Sequence, residues 1–125
     1  MSPRHSPATQ AELARVGLFA SLSGETLGRL AREMRRETIG AGEAVVLEGE
    51  EGDRFYVVLS GMLTVHQSAQ GARRILRPGD TFGEVGAALD MPRTATVRAL
   101  TTAVVASCDK AAFDEHVRPL FADSE

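Results

Sequence analysis

The sequence has little lysine and cysteine, no tryptophan and no long apolar run. Lys110 is the only lysine among 14 basic residues, an arginine bias that favours a G+C-rich bacterial coding sequence. Cys108 is the only cysteine, so an intrachain disulfide is excluded, and its apolar neighbours predict a small buried side chain. No apolar run approaches the roughly 20 residues that span a bilayer. Residues 1–10 are polar, with two prolines, and lack the apolar stretch of a secretory signal. These absences predict a cytoplasmic protein without membrane insertion.

The sequence also lacks a net positive charge and a recognisable arrangement of catalytic residues. The formal net charge of −3 argues against a nucleic-acid partner, because phosphate backbones are bound by basic surfaces. The histidines His5, His66 and His116 stand in unrelated parts of the chain, and no Ser-His-Asp or Cys-His arrangement is apparent. We therefore expect neither catalysis nor a metal site.

What remains is the composition of an ordinary globular domain. The chain has 125 residues, of which 43% are apolar and 25% charged. We expect one domain over residues 1–125, with residues 1–10 flexible.

The first third of the chain has helical spacing. One face of a predicted helix is formed by apolar residues at i, i+3, i+4 and i+7, namely Leu27, Leu30, Ala31 and Met34. Ser23 is well placed to cap that helix at its N-terminus. An earlier helix is predicted over residues 8–16 and would end at Gly17.

From residue 36 onward the pattern changes to short strands separated by glycine-containing turns. The predicted strands cover residues 37–39, 44–47, 54–60, 62–66, 73–76, 94–99 and 102–108. The turns between them include residues 40–42, 49–53, 60–61, 70–71 and 78–80. A last helix is expected from residue 110 or 111 to about 117, with Asp109 as its N-cap and Pro119 beyond its end. Many short, evenly spaced strands predict a mainly β fold, an antiparallel β-roll or jelly roll with flanking helices.

Residues 82–89 interrupt the strand pattern. This segment is rich in small residues and too long for a hairpin turn, so it predicts a short helix with glycine at its entry. The N-terminus of a helix presents free backbone N–H groups and therefore favours an anion. Arg93, which follows Pro92 at the start of a strand, adds a planar fork of donors that matches two phosphate oxygens.

Residues 82–97, called the cassette below, resemble the phosphate-binding cassette of the cyclic-nucleotide-binding domain family. That family includes catabolite activators, regulatory subunits of protein kinase A and cyclic-nucleotide-gated channels. The shared pattern is Phe-Gly-Glu-Val, six residues, then Pro-Arg-Thr-Ala-Thr-Val, with the same internal length. Further similarity lies at residues 16–19, 49–53, 57–61 and 78–80, so the resemblance extends over about residues 16–117.

The resemblance implies a ligand site made of Gly83, Glu84, Val85, Gly86, Ala87, Arg93, Thr94 and Ala95. In such a site Arg93 pairs with the exocyclic phosphate oxygens, and Glu84 accepts a hydrogen bond from the ribose 2′-OH. The backbone N–H groups of residues 83–88 complete the phosphate cradle, and Thr94 offers its hydroxyl to phosphate or base. The ligand would be cAMP, as the commoner bacterial messenger, or cGMP, with no other cofactor.

Two departures from the family pattern bear on the site. Gly86, Ala87 and Ala88 stand where relatives more often have Ala and Leu, so we expect a loosely packed cassette helix. Only eight residues follow Val117, which leaves no room for the long C-terminal helix that covers the base in many relatives. Either another chain or region supplies that lid, or the base stays partly open.

The function implied by the resemblance is a regulatory sensor that moves its cassette and terminal helix and acts on a fused or separate effector. One alternative is a β-roll without nucleotide that serves as a protein-interaction module. Arg29, Arg32 and Arg36 could then form one basic stripe for a partner, although a solvated helix face explains them more simply. Another alternative is the sensor half of a transcription regulator of the catabolite activator type.

Overall fold

Two antiparallel sheets, with helices packed against one of them, make up the structure. The computed structural model describes residues 6–68, 71, 73–89 and 91–122. Its elements in chain order are β1 (Ser6–Pro7), α1 (Gln10–Ala14), a 3₁₀ turn (Gly17–Phe19), α2 (Gly24–Glu33), β2 (Arg35–Ile39), β3 (Ala44–Val46), β4 (Phe55–Ser60), β5 (Leu63–His66), β6 (Arg73–Leu76), β7 (Thr81–Phe82), α3 (Glu84–Leu89), β8 (Thr96–Ala99) and β9 (Ala103–Cys108). A terminal helix follows, made of Lys110–Ala112, a π-helical turn Phe113–Val117, and Arg118–Ala122.

The strand order is β1-β2-β9-β4-β7 in one sheet and β3-β8-β5-β6 in the other, and the paired strands are antiparallel. The predicted β-roll with flanking helices is therefore confirmed. The strands β1 and β7 were missed, because two residues are too few to show an alternating pattern. The predicted turn at residue 70 and Asp90 of the cassette lie outside the described residues.

The central strand β4 is buried on both faces. Phe55 and Val57 pack in the core shared with the helices, whereas Tyr56 and Val58 pack in the core between the two sheets. Cys108 lies in the helix-side core as predicted, and burial raises the pKa of its thiol to about 12. This double burial holds the neighbouring cassette against a rigid strand.

The N-terminus differs from the sequence prediction. Residues 1–10 were expected to be flexible, but Ser6–Pro7 pairs with β2 and Ala8 is buried. Helix α1 is shorter than predicted, because Thr9 caps it in a reciprocal capping box with Glu12. Gly17 begins a 3₁₀ turn after the helix.

Helix α2 begins as predicted but ends earlier than its apolar spacing indicated. The Ser23 hydroxyl accepts the backbone N–H of Thr26 at 3.1 Å, which confirms the N-cap. The helix ends at Glu33, and Arg36 lies in β2, so the basic residues 29, 32 and 36 do not share one helix face.

The terminal helix continues through Pro119 to Ala122, so the prediction that it ends near residue 117 is wrong. Asp109 does cap its N-terminus, accepting the N–H of Ala112 at 2.9 Å. Proline ends most helices because it lacks an N–H and crowds the carbonyl one turn earlier. The π-helical turn widens the backbone just before Pro119, where the N–H of Arg118 bonds to the carbonyl of Phe113. No helix in the described part of the chain is long and apolar enough to cross a membrane.

Candidate nucleotide site

Arg93 is held in the cassette by its backbone and is almost fully buried. Its N–H donates to the Glu50 carbonyl, and its carbonyl accepts from the Gly49 N–H, both at 2.8 Å. In the side chain, Nη2 donates a hydrogen bond to the Arg54 carbonyl at 3.2 Å, and the residue is 9% exposed. The other terminal nitrogen, Nη1, is buried and has no hydrogen-bond partner among the described residues. A buried guanidinium with a free donor is costly, and this donor is therefore poised for an anionic acceptor.

Three glycines make room for the Arg93 guanidinium. A Cβ at Gly52 would lie 3.0 Å from Nε and Nη2 of Arg93, and one at Gly83 would lie 3.2 Å from Nη1. A Cβ at Gly86 would lie 3.0 Å from Nη1 and 2.6 Å from the Gly52 carbonyl, closer than side chains approach. Gly83 also has a φ of +89°, a conformation that favours glycine. The expected loose packing at Gly86 is therefore wrong: this glycine allows the cassette helix to approach closely.

An aromatic pair lies beneath the same guanidinium. The Arg93 Cζ is 5.8 Å from the centre of the Tyr56 ring, and that ring stacks on Phe82 with centroids 4.7 Å apart. Burial raises the pKa of the Tyr56 phenol, so the ring stays neutral. Tyr56 and Gly52 were both missed from the sequence. Tyr56 adjoins the site through the pairing of β4 with β7, and Gly52 belongs to the turn of residues 49–53, which is hydrogen-bonded to the Arg93 backbone.

Glu84 occupies the first turn of α3 and is the second unsatisfied polar group. Its Oε2 is buried without a hydrogen-bond partner among the described residues. The first N–H groups of a helix have no partner within it and are free for an anion. The N–H of Ala87 is not one of these free groups, because it donates to the Gly83 carbonyl at 3.0 Å. The Ala87 side chain is packed in the helix-side core. The predicted cradle over residues 83–88 is thus confined to the first turn of the helix.

The remaining predicted residues line a cavity of about 120 Å³ together with an apolar wall that the sequence did not reveal. The lining residues are Val46, Val65, Arg74, Phe82, Gly83, Glu84, Val85, Gly86, Pro92, Arg93, Thr94, Ala95 and Val97. Thr94 is exposed at its edge, where its carbonyl accepts a hydrogen bond from Gln67 Nε2 at 3.2 Å. Val46, Val65 and Val97 belong to three strands, β3, β5 and β8, which come together only in the folded roll.

The far end of α3 is bound by the terminal helix. Lys110 Nζ donates to the Ala87 carbonyl at 2.8 Å, and Arg118 Nη2 donates to the Ala88 carbonyl at 3.0 Å. Asp114 lies between these two cations, 2.8 Å from Arg118 Nη2 and 3.8 Å from Lys110 Nζ. The hydrogen bond from Arg118 lowers the pKa of the Asp114 carboxyl. Two cations of one helix thus bind the last carbonyls of the other, which favours their joint movement.

A second and larger cavity, of about 370 Å³, lies beside α1. It is lined by one glutamate, Glu12, and by two arginines, Arg15 and Arg36, and here Arg36 Nε donates to Glu12 Oε2 at 3.0 Å. The other oxygen of Glu12 accepts the N–H of Thr9 at 3.0 Å. The only carboxylate among the described residues that line this cavity is therefore already paired with an arginine.

Comparison with known proteins agrees with the geometry of the cassette. A family model described as the cyclic nucleotide-binding domain matches residues 36–118, which include the whole cassette. The chain belongs to the cyclic nucleotide-binding domain family. The resemblance stated from the sequence is thereby confirmed, and the chain is a regulatory domain of this family.

Other members of the cyclic nucleotide-binding domain family are similar over most of this chain. A cAMP-dependent protein kinase regulatory subunit from Debaryomyces hansenii is 38% identical over 104 residues, which are 83% of this chain and 23% of that protein. A CRP-like cAMP-activated global transcriptional regulator from Mycobacterium tuberculosis is 31% identical over 102 residues, 78% of this chain and 46% of that protein. The regulatory domain of Toxoplasma gondii PKA, in co-crystals with cAMP, has a TM-score of 0.82 and 26% identity, covering 89% of this chain and 44% of that one. The chain spans less than half the length of each of these relatives.

Proposed function

We propose that this domain binds a 3′,5′-cyclic nucleotide, cAMP in preference to cGMP, between the first turn of α3 and Arg93. The observation that supports this proposal is the pair of buried, unsatisfied atoms, Arg93 Nη1 and Glu84 Oε2. A cyclic phosphate supplies acceptors for the first, and the ribose 2′-OH supplies a donor for the second. Binding then removes two desolvation costs that the empty site carries.

The phosphate and ribose are the parts that the cavity accommodates, and we place the base at its mouth. A volume of about 120 Å³ is smaller than the roughly 300–1,000 Å³ of pockets that enclose a drug-sized ligand. Leu89 and Met91, which belong to the cassette, are 63% and 46% exposed, and we expect them to contact the base or the group that covers it. Thr94 at the edge suits either purine, so the preference for cAMP rests on the cAMP-dependent and cAMP-activated relatives.

Titration calorimetry with cAMP, cGMP and adenosine tests this assignment. We expect one site per chain with micromolar or tighter affinity for cAMP, about −8 kcal/mol. Adenosine should bind far more weakly, because it leaves Arg93 Nη1 without an acceptor. The absence of heat and of a thermal shift at millimolar cAMP and cGMP would contradict the proposal and favour an interaction module without nucleotide.

We further propose that the bound nucleotide signals through the terminal helix. Lys110 and Arg118 already bind the end of α3, so a shift of α3 toward the phosphate pulls on them directly. The exposed Leu89 would then pack toward Phe113 or Val117. A ligand changes a conformational equilibrium only if it binds the two states unequally, and the unsatisfied site supplies that difference.

Hydrogen exchange with and without cAMP tests the coupling. We expect joint protection of residues 83–93 and 110–121, while α2 changes less. In Lys110→Met the protection should stay in the cassette and weaken in the terminal helix. The control Arg77→Met removes an exposed charge elsewhere and should behave as the parent. Protection of the terminal helix that persists unchanged in Lys110→Met would contradict this route.

The proposed role is that of a non-catalytic, cytoplasmic sensor for an attached or separate effector. The relatives named above are a kinase regulatory subunit and a transcriptional regulator, so both kinds of effector are represented. They come from a yeast and a bacterium, and the bacterial origin inferred from arginine usage stays a prediction. A pull-down with the chain, with and without cAMP, would distinguish a kinase from a DNA-binding partner.

A further inference from the structure

Three potential metal ligands meet where α2 contacts the terminal helix, far from the cassette in sequence. Glu33 is the last residue of α2, and Glu115 and His116 lie in the π-helical turn. One ligand atom from each of the three lies within 4.8 Å of the other two. The His116 Nε2 is 3.3 Å from Glu33 Oε2 and 3.8 Å from Glu115 Oε1.

His116 is the buried member of this cluster. Its side chain is 8% exposed, and within the described residues neither ring nitrogen makes a hydrogen bond. The oxygens of two carboxylates thus lie within 4 Å of the same imidazole nitrogen. A charge-assisted bond from an imidazolium to a carboxylate is about 2.7–2.9 Å long, shorter than both contacts seen here.

The spacing of the three atoms fits a shared cation better than a direct ion pair. Ligands bound to zinc at about 2.0–2.1 Å lie about 3.3–3.4 Å apart when the geometry is tetrahedral. The contact of Nε2 with Glu33, at 3.3 Å, has that length, and the contact with Glu115, at 3.8 Å, is about 0.4 Å longer. Within the described part of the chain, Glu33 and Glu115 have no ion pair besides His116, although their oxygens approach each other. Their side chains are 49% and 66% exposed, so an ion can reach them from solvent.

We propose that Glu33, Glu115 and His116 form a binding site for a divalent cation of the zinc class. One imidazole nitrogen and two carboxylate oxygens are ligands that such ions accept, and water would fill the fourth position. The site joins α2 to the terminal helix, so the bound ion stabilises the docked position of that helix. Ion binding at this site can be measured in the absence of nucleotide.

Zinc titration by calorimetry tests the site, using chelator-stripped protein without a histidine tag. We expect one equivalent of Zn²⁺ to bind and to raise the melting temperature. Glu33→Gln and Glu115→Gln should each weaken binding about tenfold or more, and His116→Gln should abolish it. Both glutamates are exposed, so their variants should keep the parent's circular dichroism. Bound Co²⁺ should give the visible absorption of a tetrahedral site.

Two controls separate this site from adventitious binding. Glu25→Gln removes a carboxylate at the other end of α2, and His66→Gln removes an exposed imidazole on the roll. Both should bind zinc as the parent does. The proposal is overturned if no saturable binding occurs up to about 100 µM Zn²⁺, or if binding is unchanged in Glu33→Gln and Glu115→Gln. It is equally overturned if those variants lower stability but zinc has no effect on the parent, which would show an ion pair only.

Discussion

Two cavities of this domain each contain a glutamate and an arginine, but the two pairs are in opposite states. Beside α1, Glu12 and Arg36 bind each other in a cavity of about 370 Å³. In the cassette, Glu84 and Arg93 each keep a buried atom unpaired around about 120 Å³. The smaller cavity is therefore the one whose energetics favour a ligand.

This difference between the two cavities shows that buried polar atoms without a partner indicate a ligand site better than the volume of the cavity does. A paired glutamate and arginine gain little from a ligand, since binding would first have to break their own bond. An unpaired buried donor or acceptor gains the whole cost of its desolvation when a partner arrives. The same substitution, made at the arginine or the glutamate of each cavity, should therefore affect ligand binding at one cavity and not at the other.

The largest difference is expected between the two arginines. Arg93→Ala should lose about 2–5 kcal/mol of cAMP binding, because the phosphate loses its buried charged partner. Arg36→Ala, the matched change at the other cavity, should bind cAMP as the parent does. Calorimetry on both variants measures this. Equal losses, or full binding by Arg93→Ala, would place the phosphate elsewhere.

The two glutamates sharpen the comparison. Glu84→Gln should lose about 1–3 kcal/mol of cAMP binding, the range for a hydrogen bond to a charged acceptor. It should also reduce the preference for cAMP over 2′-deoxy-cAMP, because the 2′-OH is the group that Glu84 contacts in our proposal. Glu12→Gln should change neither quantity. An undiminished ribose preference in Glu84→Gln would assign the 2′-OH to another residue.

The close approach of the cassette helix can be tested with a single methyl group. Gly86→Ala should lower the free energy of unfolding by about 1–3 kcal/mol, since its Cβ would lie 2.6 Å from the Gly52 carbonyl. Gly17→Ala, where a Cβ meets nothing within 4 Å, should be close to neutral. Urea unfolding gives both values. A Gly86→Ala variant as stable as the parent would mean that the cassette helix is free to move outward.

The smallest effect concerns pH at the paired cavity. Partial burial raises the pKa of Glu12, but the Thr9 N–H and the Arg36 guanidinium lower it more, so the net shift is downward. Its contribution to stability is therefore present above the ordinary pKa of 4.5 and is lost as pH falls through the lower folded value. Glu12→Gln keeps the capping box and should cost below about 1 kcal/mol at neutral pH. The difference from the parent, measured by urea unfolding, should vanish in acid; a constant difference would show that charge is not its cause.

The sequence was most informative where function depends on local spacing. Gly83, Glu84 and Arg93 lie within one short segment, so their position around one cavity was predictable from the motif. Gly52 was not, because its close approach to Arg93 arises from the packing of a turn distant in sequence. The passage of the terminal helix through Pro119 depends on a widened turn that residue propensities do not reveal.

The single lysine of the chain gives this domain a chemical reporter of its own. Apart from the terminal amine, Lys110 carries the only amine that an acylating reagent can modify. This amine donates a hydrogen bond to the Ala87 carbonyl. Its labelling rate should therefore follow how often the two helices separate. Mass spectrometry could measure that rate in a mixture or a cell extract, with no introduced dye, cysteine or tag. Acylation would remove the charge of Lys110 and leave Arg118 as the remaining cation that binds the end of α3.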